Sequence, residues 1–153
     1  MLAMIVAYTE SGMMARMHES QITLYGIRNC DTVKKARQYL TEHGVAHQFH
    51  DFKLHGVLPQ QRDRWAQVLG WEALINRQGS TWRKLDEAVR ASAVDANSAM
   101  SLLRAHPSAI RRPVVDWGDG DGPRFSVGFQ ADAWAQRLLA ARQGAAGTQG
   151  PVS

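Results

Sequence analysis

Apolar and polar positions alternate over residues 21–25, where Ile22 and Leu24 fall between Gln21, Thr23 and Tyr25, and this pattern predicts a first strand. From Asp31 to His43 the spacing changes. Val33, Ala36, Tyr39 and Leu40 recur at helical intervals, and Gly44 supplies a C-terminal stop. Residues 47–52 alternate again and predict a second strand. A strand, a helix and a strand with a short return form a βαβ unit, hence a parallel pair with a right-handed crossover. Pro59 then opens a helix to Leu69, with Trp65, Val68 and Leu69 on one face. Ser80 caps a helix over residues 81–90, with Trp82, Leu85 and Val89 inward, and a third helix over 97–105 ends at His106-Pro107. Residues 113–116 and 124–127 read as strands flanking a Gly-Asp run from Gly118 to Gly122, which is a turn. A last helix over 131–142 carries Trp134, Leu138 and Leu139 on one side.

The order is βαβ, a helical block, then ββα. That is the layout of a thioredoxin-like α/β domain, a four-stranded mixed sheet with a helical insertion. The five tryptophans serve as packing anchors on helix faces. Residues 1–19 read as an N-terminal extension or a misplaced start, with Met13, Met14 and Met17 as alternative starts. Residues 20–143 form the domain. Residues 144–153, rich in Gly, Ala and Ser, read as a disordered tail.

Composition changes this picture little. The 153 residues suffice for one domain with a real core, and 44% hydrophobic with 21% charged residues is ordinary for a soluble globular chain. The net charge of +4 suits small anionic substrates, and without a clustered basic stripe it does not point to direct nucleic-acid binding. The apolar start lacks a basic leader and no segment has membrane-spanning length, so neither a signal peptide nor a membrane segment is expected.

The single cysteine, Cys30, is the candidate nucleophile. It stands where the first strand turns into the first helix, and the unpaired N–H groups of a helix N-terminus favour an anion. The thiolate is the reactive form. Arg28, Lys34 and Lys35 add positive charge nearby, while Asp31 opposes it. Thr32 can hydrogen-bond to the sulfur or to a local backbone group. Position 33 is Val33, so Cys-x-x-Cys is not formed and no neighbouring thiol can resolve an adduct. Cys30 therefore forms a mixed disulfide or another adduct that an external thiol must release. No internal disulfide is possible, which suits a reducing, cytoplasmic setting. His50 and Asp51 alternate on a strand, so they do not form a dyad. The six histidines lack tight ligand spacing, and no metal is assigned.

The runs Gly26-Ile27-Arg28-Asn29-Cys30-Asp31-Thr32, Phe49-His50-Asp51-Phe52, Asn76-Arg77-Gln78-Gly79-Ser80-Thr81-Trp82, Ile110-Arg111-Arg112-Pro113 and Val127-Gly128-Phe129 resemble, in this order, the ArsC/Spx family, in its YffB-type branch. The resemblance implies a thioredoxin fold, a cytoplasmic location, and thiol-based reduction drawing on glutathione as reductant or co-substrate, with no bound cofactor. It makes Cys30 the nucleophile. It places Arg112 at an anion-holding position and Pro113 at the fold's cis-proline. Arg77 is a further candidate for the anion, though an ungapped reading puts Asn76 at that position. Asn29 and Thr32 flank the thiol as candidate contacts for substrate or glutathione. At the family's later arginine this chain has Val127, which counts against arsenate reduction. Three readings follow: a glutathione-dependent thiol reductase acting on small anionic or thiol substrates, a Spx-like regulator that binds the RNA polymerase α-subunit, and, ranked below these because of Val127, an arsenate reductase.

Overall fold

The computed structural model describes residues 21–120 and 122–148. The proposed extension over residues 1–19 therefore lies outside the described residues. Strand β1 (Ile22–Gly26) leads into helix α1 (Asp31–Glu42) and strand β2 (His47–Asp51). A helical block follows: α2 (Phe52–His55), α3 (Pro59–Leu69), α4 (Trp71–Leu74), α5 (Ser80–Lys84), α6 (Glu87–Ala91), α7 (Ala96–Ala105) and a 3-10 turn over Pro107–Ala109. Strands β3 (Val114–Asp116) and β4 (Phe125–Val127) and helix α8 (Ala131–Thr148) complete the chain.

The four strands form one mixed sheet in the order β2-β1-β3-β4. β1 and β2 are parallel, with Gly26 opposite Asp51. β1 and β3 are antiparallel, with Tyr25 opposite Val114, and β3 and β4 are antiparallel, with Val114 opposite Val127. This is the expected thioredoxin-like sheet. Its register places the C-terminal ends of β1, β2 and β4 beside the start of β3.

Strand alternation divides the core between two faces. Leu24 and Val115 join Val33, Ala36 and Leu40 of α1 and Trp134 of α8. Tyr25 and Val114 point the other way, to Trp65, Leu74, Trp82 and Leu103 of the helical block. Each such buried side chain stabilises the fold by about 1.5–3 kcal/mol. At the far hairpin, Arg124 Nε donates to Asp116 Oδ1 at 3.0 Å and Trp117 Nε1 donates to Ser126 Oγ at 2.8 Å.

Several expectations need correction. Phe52 begins α2 rather than ending β2, because the Asp51 carboxylate caps a helical turn there. In α3 the inward stripe is Arg62, Trp65, Ala66 and Leu69, spaced at three and four residues; Val68 falls off it and is 54% exposed. Residues 80–91 form two short helices, not one. Leu85 and Asp86 between them are extended, and Asp86 takes the N-cap position of α6. Gly79, not Ser80, occupies the N-cap position of α5. Leu139 is exposed because Trp134 and Leu138 define the packed side of α8. That helix continues to Thr148, so Gly144 to Thr148 is helical where the composition suggests a tail. Its alanines favour the helix enough to carry Gly144 and Gly147. Among the described residues no helix is long and apolar enough to cross a membrane.

Gly26 shows why α1 can settle so low on the sheet. A Cβ at this position would lie 2.7 Å from Val33 Cγ2 and 3.2 Å from Val33 Cγ1. Substituting Gly26→Ala should therefore cost about 1–3 kcal/mol through overpacking. Because the clash is with Val33, the Gly26→Ala/Val33→Ala pair should couple non-additively in urea denaturation. Strictly additive losses would show that the close contact is not the reason for glycine.

Candidate functional site

Cys30 is itself the N-cap residue of α1, in an extended conformation (φ −138°, ψ 124°). Its carbonyl accepts Lys34 N–H at 2.9 Å, the first bond of the helix. No side chain caps this end. The thiol thus stands beside the first turn of a 12-residue helix, whose first N–H groups have no intrahelical partners. Cys30 is half-buried against the Val33–Leu40 side of the core, and Asn29, Asp31 and Thr32 around it are exposed. Among the described residues the Thr32 hydroxyl makes no hydrogen bond, to sulfur or to backbone. Arg28, Lys34 and Lys35 are likewise exposed.

What fixes the turn before Cys30 is Asp51. This carboxylate is 6% exposed at the end of β2. Its Oδ2 accepts Arg28 N–H at 3.0 Å, and its Oδ1 accepts the N–H groups of Lys53 and Leu54 at 3.0 and 3.1 Å. Burial alone would raise its proton affinity. The bonds from Arg28, Leu54 and Lys53 outweigh that and hold the carboxyl below the usual aspartate range. His50, as expected, does not pair with it: His50 Nε2 donates to Gly56 O at 2.8 Å. Strand alternation argues against a His50–Asp51 dyad but does not reveal this structural role of Asp51. The available signal was an aspartate immediately before the short run Phe52-Lys53-Leu54, an N-cap pattern.

The sheet register brings Arg112 and Pro113 to the same end as Cys30 and Asp51. The Arg112–Pro113 bond is cis, as the resemblance implies. Pro113 is fully buried, and its carbonyl accepts Gly128 N–H at 2.8 Å. That bond ties the turn after β4 to the start of β3, and Gly128 makes it at φ +82°, a conformation suited to glycine. The Arg112 backbone makes no hydrogen bond among the described residues. The Arg112 side chain is half-buried. Its Nη1 donates to Ser108 O at 2.6 Å and reaches Ile110 O at 3.4 Å. Its Nε is buried without a partner. One arm of the guanidinium is therefore anchored, Nε is unsatisfied but closed to solvent, and Nη2 makes no hydrogen bond among the described residues.

Arg77 is arranged differently. Asn76 N–H donates to Ala109 O at 2.8 Å and Ile75 bridges Ile110, so the loop runs beside the segment leading to Arg112. The Arg77 guanidinium, however, is exposed and lies over the Trp82 ring, 5.3 Å from its centroid. Asn76 is half-buried and packs closely on Gly79, where a Cβ would meet Asn76 Nδ2 at 2.7 Å. Val127, at the family's later arginine position, is a half-buried β4 residue packed against the helical block.

A model of the ArsC family matches residues 25–137 of this chain. Among solved structures, a YffB protein is 47% identical, with 75% of this chain and 96% of that one covered at a TM-score of 0.67. An arsenate reductase (ArsC) related protein from Brucella melitensis is 43% identical, covering 77% and 94% at a TM-score of 0.59. The global transcriptional regulator Spx of Streptococcus agalactiae is 30% identical over 118 residues, 72% of this chain and 78% of the regulator.

Replacing Asp51 by Asn leaves one acceptor oxygen for three donors and should cost about 1–3 kcal/mol at neutral pH. Because the folded carboxyl sits below its ordinary value, its contribution is complete above the unfolded aspartate range and disappears as pH falls through the folded value. The gap between the wild type and Asp51→Asn in urea midpoint should therefore narrow below pH about 4. A gap unchanged at acid pH would mean that the charge on Asp51 does not hold the turn.

Proposed function

The chain belongs to the ArsC family, and we propose that it acts as a glutathione-dependent thiol reductase with Cys30 as its single nucleophile. The observation that carries this reading is a lone, half-buried thiol at an uncapped helix N-terminus, at the same sheet end as an arginine whose Nε is unsatisfied. Val33 fills the position of a second motif cysteine and is completely buried, so release of an adduct needs an external thiol.

The cycle balances with glutathione alone. The Cys30 thiolate attacks the glutathione sulfur of a substrate mixed disulfide. An Sγ–S bond forms, the substrate S–S bond breaks, and the substrate leaves as a thiolate that takes a proton from solvent. A glutathione thiolate then attacks the adduct, releasing glutathione disulfide and restoring Cys30. The substrate sulfur is reduced and glutathione is oxidised. Arg112 is suited to the glutathione carboxylate through Nη2, with the unsatisfied Nε joining when the side chain shifts to uncover it. The exposed Asn29 and Thr32 line the approach to sulfur. Arg77 reaches an anion only by leaving Trp82. The chemistry belongs in a reducing compartment such as the cytoplasm.

Identity with the Spx regulator over most of this chain favours one other reading, a binding module directed at the RNA polymerase α-subunit. The two are separated by turnover. Cys30→Ser should fold normally and lose all reduction of a glutathionylated disulfide in the presence of glutathione and glutathione reductase. Arg112→Lys should raise KM for glutathione about tenfold, with a smaller change in kcat, since lysine cannot reproduce the bidentate contact. Full activity in Cys30→Ser would sink the reductase. Absence of turnover in the wild type, together with a stable complex between purified protein and the polymerase α-subunit, would establish the regulator instead.

A further inference from the structure

A cavity of about 310 Å³ opens between the start of α3 and the end of α7, and Cys30 and Arg112 are not among its lining residues. Its walls include Val57, Leu103, Pro107 and Ile110, and its charges are Arg62 and Arg104. Arg62 occupies a position on the inward stripe of α3 and is 8% exposed. Among the described residues its guanidinium makes no hydrogen bond. Both ion pairs among those residues are made by Arg124, so no carboxylate lies within pairing distance of Arg62 or Arg104. Asp63, its neighbour in the chain, lines a different hollow with Gln67 and Asn97.

Holding two guanidinium groups close together in a partly desolvated hollow with no carboxylate between them works against stability. Burial first and the Arg104 charge second hold Arg62 below the usual arginine range, with Asp63 opposing. A core position on an amphipathic helix would ordinarily be filled by an apolar residue. An anion seated between the two arginines removes the repulsion and satisfies the planar donors. The cavity exceeds what a bare oxyanion fills and lies at the small end of ligand pockets, about 300–1,000 Å³. Its apolar walls suit a short hydrocarbon or a single ring.

We propose that this cavity binds a small organic anion, its carboxylate or phosphate held between Arg62 and Arg104 and its apolar part against Val57, Leu103 and Ile110. The site does not rest on the reductase reading, although its wall residue Ile110 offers its carbonyl to Arg112 Nη1 at 3.4 Å.

The test is a titration of isotopically labelled full-length protein with phenyl phosphate, benzoate and inorganic phosphate, followed by amide NMR. Saturable shifts should centre on Val57, Arg104 and Ile110 and be strongest for one of the two aromatic anions, which identifies the head group. Inorganic phosphate should bind more weakly. Arg104→Gln, at an exposed position, should weaken binding at least about tenfold, and Arg62→Met should abolish it. Three results would each overturn the proposal: no saturable shifts with any probe, shifts confined to Arg28–Cys30 and Arg112, or an affinity unchanged by Arg104→Gln.

Discussion

Asp51 divides its two oxygens between the turn that carries Cys30 and the first turn of α2, and the working end of the molecule depends on that division. Without it, the loop between β1 and α1 would have no anchor in β2, and α2 would have no cap. The carboxylate is almost wholly buried, so its charge is tolerable only because three N–H groups meet it. The other side of the same end is closed by Gly128, whose N–H reaches Pro113 O at 2.8 Å. Between these two ties the sheet presents a thiol, a cis-proline and an anchored arginine together.

The same packing explains why one thiol is all the site holds. Val33 is fully buried over Gly26, and the close approach between them sets the height of α1 above the sheet. A residue used in this way belongs to the core rather than to the reaction. In the proposed reaction, release of an adduct from Cys30 would therefore need a thiol supplied from outside.

Period-two and helical patterns, with Pro59 at the start of α3, suffice to place the four strands, α1, α3 and α7. The thiol's position at a helix start and the cis bond before Pro113 were also foreseen, the second only through family resemblance. What escaped depends on tertiary context. Arg62 was not read as inward because an arginine on a buried stripe breaks the pattern, and Val68 was assigned there in its place. The split at Leu85 and Asp86 arises because Leu85 reaches the core only from an extended backbone. Asp51's role needs a backbone donor 23 residues earlier in the chain, a relation no local pattern carries. The stacking of Arg77 on Trp82 is likewise a meeting of side chains that spacing alone does not reveal.

The central claim is that Cys30 is an activated monothiol turned over by glutathione. Its most direct test is the intact mass of the native protein after exposure to oxidised glutathione near neutral pH, and again after reduced glutathione is added. A single glutathione adduct on Cys30 that forms readily and is removed by reduced glutathione is the predicted result. A thiol that stays unmodified until the protein is denatured would contradict the claim and leave the partner-binding reading in its place.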